Sequence, residues 1–303
     1  MNYENQNMEL ISEKTAEQIR QEDLQRLAGF RPIDDTFARA VFKNRPELAE
    51  FVLRIITRLE DLEIDPVGYD TQFDAKRLAG SRSLMLDVHG GDTKGRKYDL
   101  EMEKWDASPE RAEFHIATML IEHLHEGEAF SDLPETYVIF MCEHDVVGNR
   151  RAVNQFSYRN DDLFMEGSGV EETIKPNSTM KGKTRIIFVN GDYEDEQSDI
   201  GKLIHDFKCS KPKEMFFPNL AERARHLKED PEGVEEMCKE MEKVRQEANR
   251  ASRLTDIINL MDFTNWDVEK AMEALKISPE ERPLYAASAK AVQTRRSAYV
   301  TSV

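Results

Sequence analysis

Between Leu84 and Trp105 (LMLDVHGGDTKGRKYDLEMEKW), apolar and polar residues alternate with a period of two. That period places every second side chain on one face of a strand. Leu84, Leu86 and Val88 point one way, and Met85, Asp87 and His89 the other. In the second run Tyr98, Leu100 and Met102 fall together, as do Asp99, Glu101 and Glu103. The two runs read as a hairpin closed by a loop from Gly91 to Lys97, with Gly90-Gly91 as turn chemistry. This pairing sets Asp87 opposite Glu101.

Elsewhere the apolar period is helical. Phe37, Val41 and Phe42 follow Asp34-Asp35, either of which can cap a helix start. Pro46 opens a second helix, with Leu48, Phe51, Val52, Ile55 and Ile56 as its stripe. A strand is expected around Gly68 to Phe73. The segment 109–127 predicts an amphipathic helix whose stripe of Phe114, Ala117, Leu120, Ile121 and Leu124 packs on the sheet. TYVIFMCEHDVVG and TRIIFVNG are continuous apolar runs closed by turns, as buried strands are, and short edge strands are expected between them in 149–183. From Pro218 the chain is charge-rich with helical spacing. The pattern therefore predicts an α/β fold with a mixed β-sheet flanked by helices. It divides into a polar helical arm over 1–30, a main domain over 31–217 and a helical C-terminal region over 218–303.

With 303 residues, the chain is long enough for a substantial core. No apolar run approaches a membrane span, and the first residues carry no signal-like apolar region, so a soluble, cytoplasmic protein with no membrane partner is expected. Cys142, Cys209 and Cys238 are widely spaced and odd in number, which favours reduced thiols over a disulfide framework or a zinc site. The net charge of −17 argues against indiscriminate nucleic-acid binding. A local basic cluster (Lys76, Arg77, Arg82, Lys94, Arg96 and Lys97) precedes the acidic hairpin and continues into its loop. It would suit a phosphate backbone and an ordinary solvated surface equally.

Like charges directly across a ladder repel, so Asp87 opposite Glu101 calls for a cation, and a hard divalent ion with oxygen ligands is the usual one. A solvent-exposed acidic face is the plain alternative. No phosphate-binding glycine loop, nucleophile elbow or zinc-protease motif is present, and His123 and His125 are two apart on a helix and cannot share a face.

Asp87, the strand carrying Glu101-Met102-Glu103 and the following helix with Arg111 resemble the core of the PD-(D/E)XK nucleases, in particular the bacterial transposases of that superfamily. Asp34-Asp35-Thr36-Phe37 with Phe42 is similar to their N-terminal helix motif. LPETYVIFMCEHDVVG, IIFVNG and DIGKLIHDFKCSKPKEMFF are similar to their later segments, so the resemblance covers roughly residues 33 to 245. It implies a restriction-endonuclease-like sheet core and hydrolysis of DNA, taken as double-stranded, with Mg²⁺ or Mn²⁺ as cofactor. A homodimer would suit paired cuts. Asp87 and Glu101 would be the metal-binding carboxylates, with Glu103 as third catalytic position and Asp34 and Lys104 as additional candidates. The family carries Lys or Gln where this chain has Glu103. Lys104 points to the opposite face of an ideal strand and could replace that group only if a bulge re-aimed it. The departure at Glu103 opens a second reading, a catalytically impaired member that binds DNA or a protein partner. A third is an interaction protein whose acidic face is merely solvated.

Overall fold

The computed structural model of the chain describes residues 15–75, 84–105, 107–157 and 182–290. Lys76, Arg77 and Arg82 of the basic cluster lie outside the described residues, as do the first fourteen residues of the N-terminal arm and positions 158–181.

Six strands form one mixed sheet: β1 (Asp70–Ala75), β2 (Leu84–Gly91), β3 (Lys97–Glu103), β4 (Thr136–Cys142), β5 (Val153–Phe156) and β6 (Thr184–Val189). Their spatial order is β1-β2-β3-β4-β6-β5. β1, β2 and β3 are antiparallel neighbours, β4 runs parallel to both β3 and β6, and β5 returns antiparallel along β6. A parallel step needs a crossover, and helix α4 (Pro109–Glu122) supplies it between β3 and β4. β4 is central, and all seven of its residues are buried, which is why TYVIFMC reads as an unbroken apolar run.

One face of the sheet carries the main core. Val88, Tyr98, Leu100, Met102, Ile139, Met141, Ile187 and Val189 belong to one buried cluster with residues of α2 (Asp35–Phe42), α3 (Pro46–Thr57) and α5 (Asp199–Lys208). Leu220, Ala224 and Leu227 of α6 (Pro218–Glu229) and Met237 and Met241 of α7 (Pro231–Thr264) join the same cluster. α1 (Ala16–Gly29) adds Leu27. Asp206, fully buried in α5, accepts from the backbone N–H groups of Phe216 (2.7 Å) and Phe217 (2.8 Å) and so fixes the chain entering α6. The far part of α7 carries a separate cluster of Ile257, Met261, Val268, Ala271, Met272, Ile277, Tyr285 and Ala289, around α8 (Val268–Ala274). Among the described residues, no helix is long and apolar enough to cross a membrane.

The other face is covered by α4, with Ala112 and Met119 against Val138, Phe140, Cys142 and Phe188. Here the helix departs from its predicted orientation and ends at Glu122. Its buried residues are Ala112, His115, Thr118 and Met119, while Ala117 and Ile121 face outward, Ile121 being 76% exposed. The cause is the sheet beneath: Asp99, Glu101 and Glu103 need hydrogen-bonding partners, and a stripe of Phe114 and Ile121 offers none. The hairpin turn also differs. Gly90 and Gly91 are strand residues paired with Tyr98 and Lys97, and the turn proper is 92–96, with Gly95 at φ +81°. Asp92 shapes that turn by accepting from the N–H groups of Lys94 (3.0 Å) and Arg96 (2.9 Å) and from the Tyr98 hydroxyl (3.0 Å). Lys94 and Arg96 both reach Asp61, so these two cations of the basic cluster are engaged within the protein. Gly191, after β6, is needed for close approach, since an added Cβ would meet the Cys142 carbonyl oxygen at 2.2 Å.

Candidate functional site

The β2–β3 ladder pairs Gly91 with Lys97 and proceeds to Val88 with Leu100. One step further in this register sets Asp87 against Glu101. At that step side chains take over the ladder bonds. The Asp87 N–H donates to Glu101 Oε1 (2.9 Å), and the Met102 N–H donates to Asp87 Oδ2 (3.1 Å). Each carboxylate is thus fixed by the backbone of the facing strand. Asp87 Oδ1 and Glu101 Oε2 are the oxygens these donors leave unengaged.

Two neighbouring carboxylates in such a place are costly to ionise. Burial, then repulsion from Glu101 and Asp35, pushes the Asp87 carboxyl well above the usual range. Burial, then Asp99, does the same to Glu101. Asp99 is pushed up to about 8, first by burial and then by Asp87, against a hydrogen bond with Glu101 that acts to lower it. Three adjacent acids that resist losing their protons form an arrangement that a cation would stabilise.

α4 supplies the partners on this face. Ser108 caps its N-terminus by accepting from the Arg111 N–H (3.2 Å), which holds Arg111 over the end of β3. The Arg111 guanidinium makes a close ion pair with Glu103 Oε2, and its Nη2 lies 3.5 Å from Glu101 Oε2. The other oxygen of Glu103 accepts from the Trp105 N–H (3.0 Å). One turn along α4, His115 Nδ1 stands 2.8 Å from Asp99 Oδ2 and 3.9 Å from Glu101 Oε1. Phe140 lies edge-on to the His115 ring at 5.4 Å and closes that end with an apolar wall. Asp99, Glu101 and His115 are all buried, and each has a ligand-type atom within 4.8 Å of the others.

The structure therefore brings Asp87, Glu101 and Glu103 to one face of the hairpin. Asp34 and Lys104 form an ion pair of their own beside the end of β3. Asp34 precedes α2 at its cap position, but its carboxylate makes no capping bond to the helix. It accepts instead from the Arg31 N–H (2.7 Å) and guanidinium (3.0 Å), and it pairs closely with Lys104 Nζ. Although burial acts to raise it, these bonds hold the Asp34 carboxyl below its ordinary value. Lys104 is thus paired with Asp34. Both line an open cleft of about 470 Å³ beside the end of β3, with Arg26, Phe30, Met102 and Glu103. Asp99 and His115 were not among the sequence candidates. The signal for Asp99 was its place on the Glu101 face; for His115 it was a position four residues after Arg111, one turn along the same helix.

Comparison with models of known protein families, with curated proteins and with solved structures finds no match for this chain.

Proposed function

We propose that this protein is a metal-dependent endodeoxyribonuclease of the PD-(D/E)XK type, with a restriction-endonuclease-like core, hydrolysing phosphodiester bonds in double-stranded DNA. The observation that carries the reading is the pair Asp87–Glu101, each held by the backbone of the other's strand where the ladder gives way to side-chain bonds. Oxygen donors of this kind suit Mg²⁺, with Mn²⁺ as a substitute, and burial beside other acids holds both carboxyls above their usual range, so that an ion there would favour their ionised, ligating form. Bound there, the ion supplies Lewis-acid polarisation of the phosphate and a water of lowered pKa.

The protein's own groups divide the remaining work. Asp87 and Glu101 hold the position. Glu103 has both oxygens engaged, one by Arg111 and one by Trp105, so it acts as an anchor rather than a base. What it anchors is a guanidinium, and Arg111 thereby brings to the end of β3 the positive charge that Lys brings in the resembled motif. Arg111 is the group suited to stabilising negative charge on the phosphoryl oxygens. The reading also carries a cytoplasmic enzyme of the transposase kind, acting on DNA from mobile elements or during recombination, and a homodimer wherever cuts come in pairs.

Supercoiled plasmid cleavage tests it. Wild type should nick with Mg²⁺ or Mn²⁺ and be silent with a chelator, Asp87→Ala should be inactive, and Glu103→Gln should keep measurable activity. A wild type that never cuts under either metal contradicts the reading. One observation favours a second: Arg111 already sits on Glu101 and Glu103, as it would in a member whose catalysis has been lost. That member would shift duplex DNA, or retain a protein partner, without cutting.

A further inference from the structure

The sheet face beneath α4 holds a further buried carboxyl, that of Asp99, beyond the pair Asp87 and Glu101. Asp99 is fully buried, one β-period (about 6.7 Å) along the strand from Glu101. Its Oδ2 faces His115, but its Oδ1 is buried with no hydrogen-bond donor among the described residues. An unsatisfied buried carboxylate oxygen costs free energy on the order of 1–3 kcal/mol or more. The nearest carboxyl is that of Glu101, which can donate to Asp99 only while it keeps its own proton. A proton held between the two acids satisfies that oxygen at the cost of the charge; a cation satisfies both carboxylates together.

We propose that Asp99, Glu101 and His115 form a second, inner cation site that takes a transition-metal dication of the zinc or manganese class. The three ligand atoms lie within 4.8 Å of one another. In a tetrahedral shell with bonds of about 2.0–2.2 Å, ligand atoms stand about 3.3–3.6 Å apart, between the 2.8 Å of His115 Nδ1 to Asp99 Oδ2 and the 4.8 Å that bounds the set. An imidazole nitrogen beside two carboxylates selects against Mg²⁺ and Ca²⁺, which prefer all-oxygen shells, and in favour of first-row transition metals. The surroundings fit a resident ion: Phe140 lies against the His115 ring, and Val138 and Met119 are fully buried in the same layer. Glu101 belongs to both positions, so an inner ion would also fix the carboxylate that the outer one uses. The inner site goes beyond the nuclease reading and does not depend on it.

The test uses full-length protein produced with Mn²⁺ or Zn²⁺ supplied during growth, so that ions load as the chain folds. Ions retained after desalting are counted for wild type, Asp87→Asn, Asp99→Asn and His115→Gln. Electron spin-echo spectra of the Mn²⁺-loaded wild type read any nitrogen bound to the ion. One ion per chain should persist in Asp87→Asn and resist excess Mg²⁺. It should be lost or weakened more than about tenfold in Asp99→Asn and His115→Gln, since even outer-sphere partners are worth that much. Its spectrum should carry the coupling of one histidine nitrogen. No nitrogen coupling in wild type, or loss of every ion in Asp87→Asn, overturns the inner site and assigns Asp99 Oδ1 to a shared proton. The wild-type spectrum decides even where a variant fails to fold. Plasmid cleavage on the same preparations separates the two proposals, because an ion-bearing wild type that does not cut would sink the nuclease and leave the inner site standing.

Discussion

Strand β3 shows two faces that are equally dry and chemically opposite. On one, Tyr98, Leu100 and Met102 are between 0 and 7% exposed and packed into the main apolar core. On the other, Asp99, Glu101 and Glu103 are also between 0 and 7% exposed, yet each ends in a carboxylate. Burial drives folding on the first face and opposes it on the second, where every charge must be matched by Arg111, His115, a backbone N–H or an ion. A protein that needed only stability could place Val or Ile at those three positions. On the proposed reading, the acidic face is where stability has been exchanged for chemistry.

The contrast can be broken first on the apolar side. Leu100→Ala should cost about 2–5 kcal/mol, read as a lower urea midpoint, while cleavage per folded molecule is unchanged. An equal loss of specific activity would mean that the faces are not independent.

Arg111→Met removes the cation from Glu101 and Glu103. Because the Arg111 side chain is about one-third exposed, the cost should fall near 1–2 kcal/mol, below the 3–5 kcal/mol of a fully buried broken pair. Adding Glu103→Gln should recover part of it in a double-mutant cycle, and cleavage should not recover. Additive effects would show that the pair is not coupled.

Glu101→Gln keeps the shape and removes one of the crowded charges. Metal-free stability should stay within about 1 kcal/mol of wild type, on either side, since lost repulsion offsets the altered bond to the Asp87 N–H.

The smallest effect concerns Cys142, at the end of β4 on the α4 side. Burial, then Glu103 and Asp145, pushes its thiol up to about 12, so a thiol reagent at neutral pH should label half-buried Cys238 well before it. Labelling of Cys142 at the rate of Cys238 would mean that the α4 side of the sheet is open to solvent.

The sequence made one half of this contrast readable. Period-two alternation separated Leu100 from Glu101 and set Asp87 opposite it, because face and register are local properties of strands. Pro46 and the unbroken apolar runs of β4 and β6 were local in the same sense. What could not be read was the rotation of α4. Its residues carry an apolar stripe and, overlapping it, a mixed one of Ala112, His115, Thr118 and Met119, and the choice between them is made by carboxylates on a strand that the helix meets only in three dimensions. The same holds for Asp34: its short acidic side chain ahead of a helix reads as a cap, while the Arg31 and Lys104 that claim it answer to tertiary structure. Gly90-Gly91 misled because paired glycines signal turns, whereas here Asp92 builds the turn and Tyr69 crowds Gly90, with 3.3 Å from an added Cβ to its ring.

The central claim is that the acidic face of β3 is a cation site, and Glu101 is common to its outer and inner positions. The most direct measurement is Mn²⁺ binding to wild type and Glu101→Gln, with melting temperature followed on the same samples. The account predicts that wild type binds and is stabilised by the ion, and that Glu101→Gln loses both responses while remaining folded without metal. Mn²⁺ binding and stabilisation that are identical in the two proteins, or absent from wild type, would contradict it.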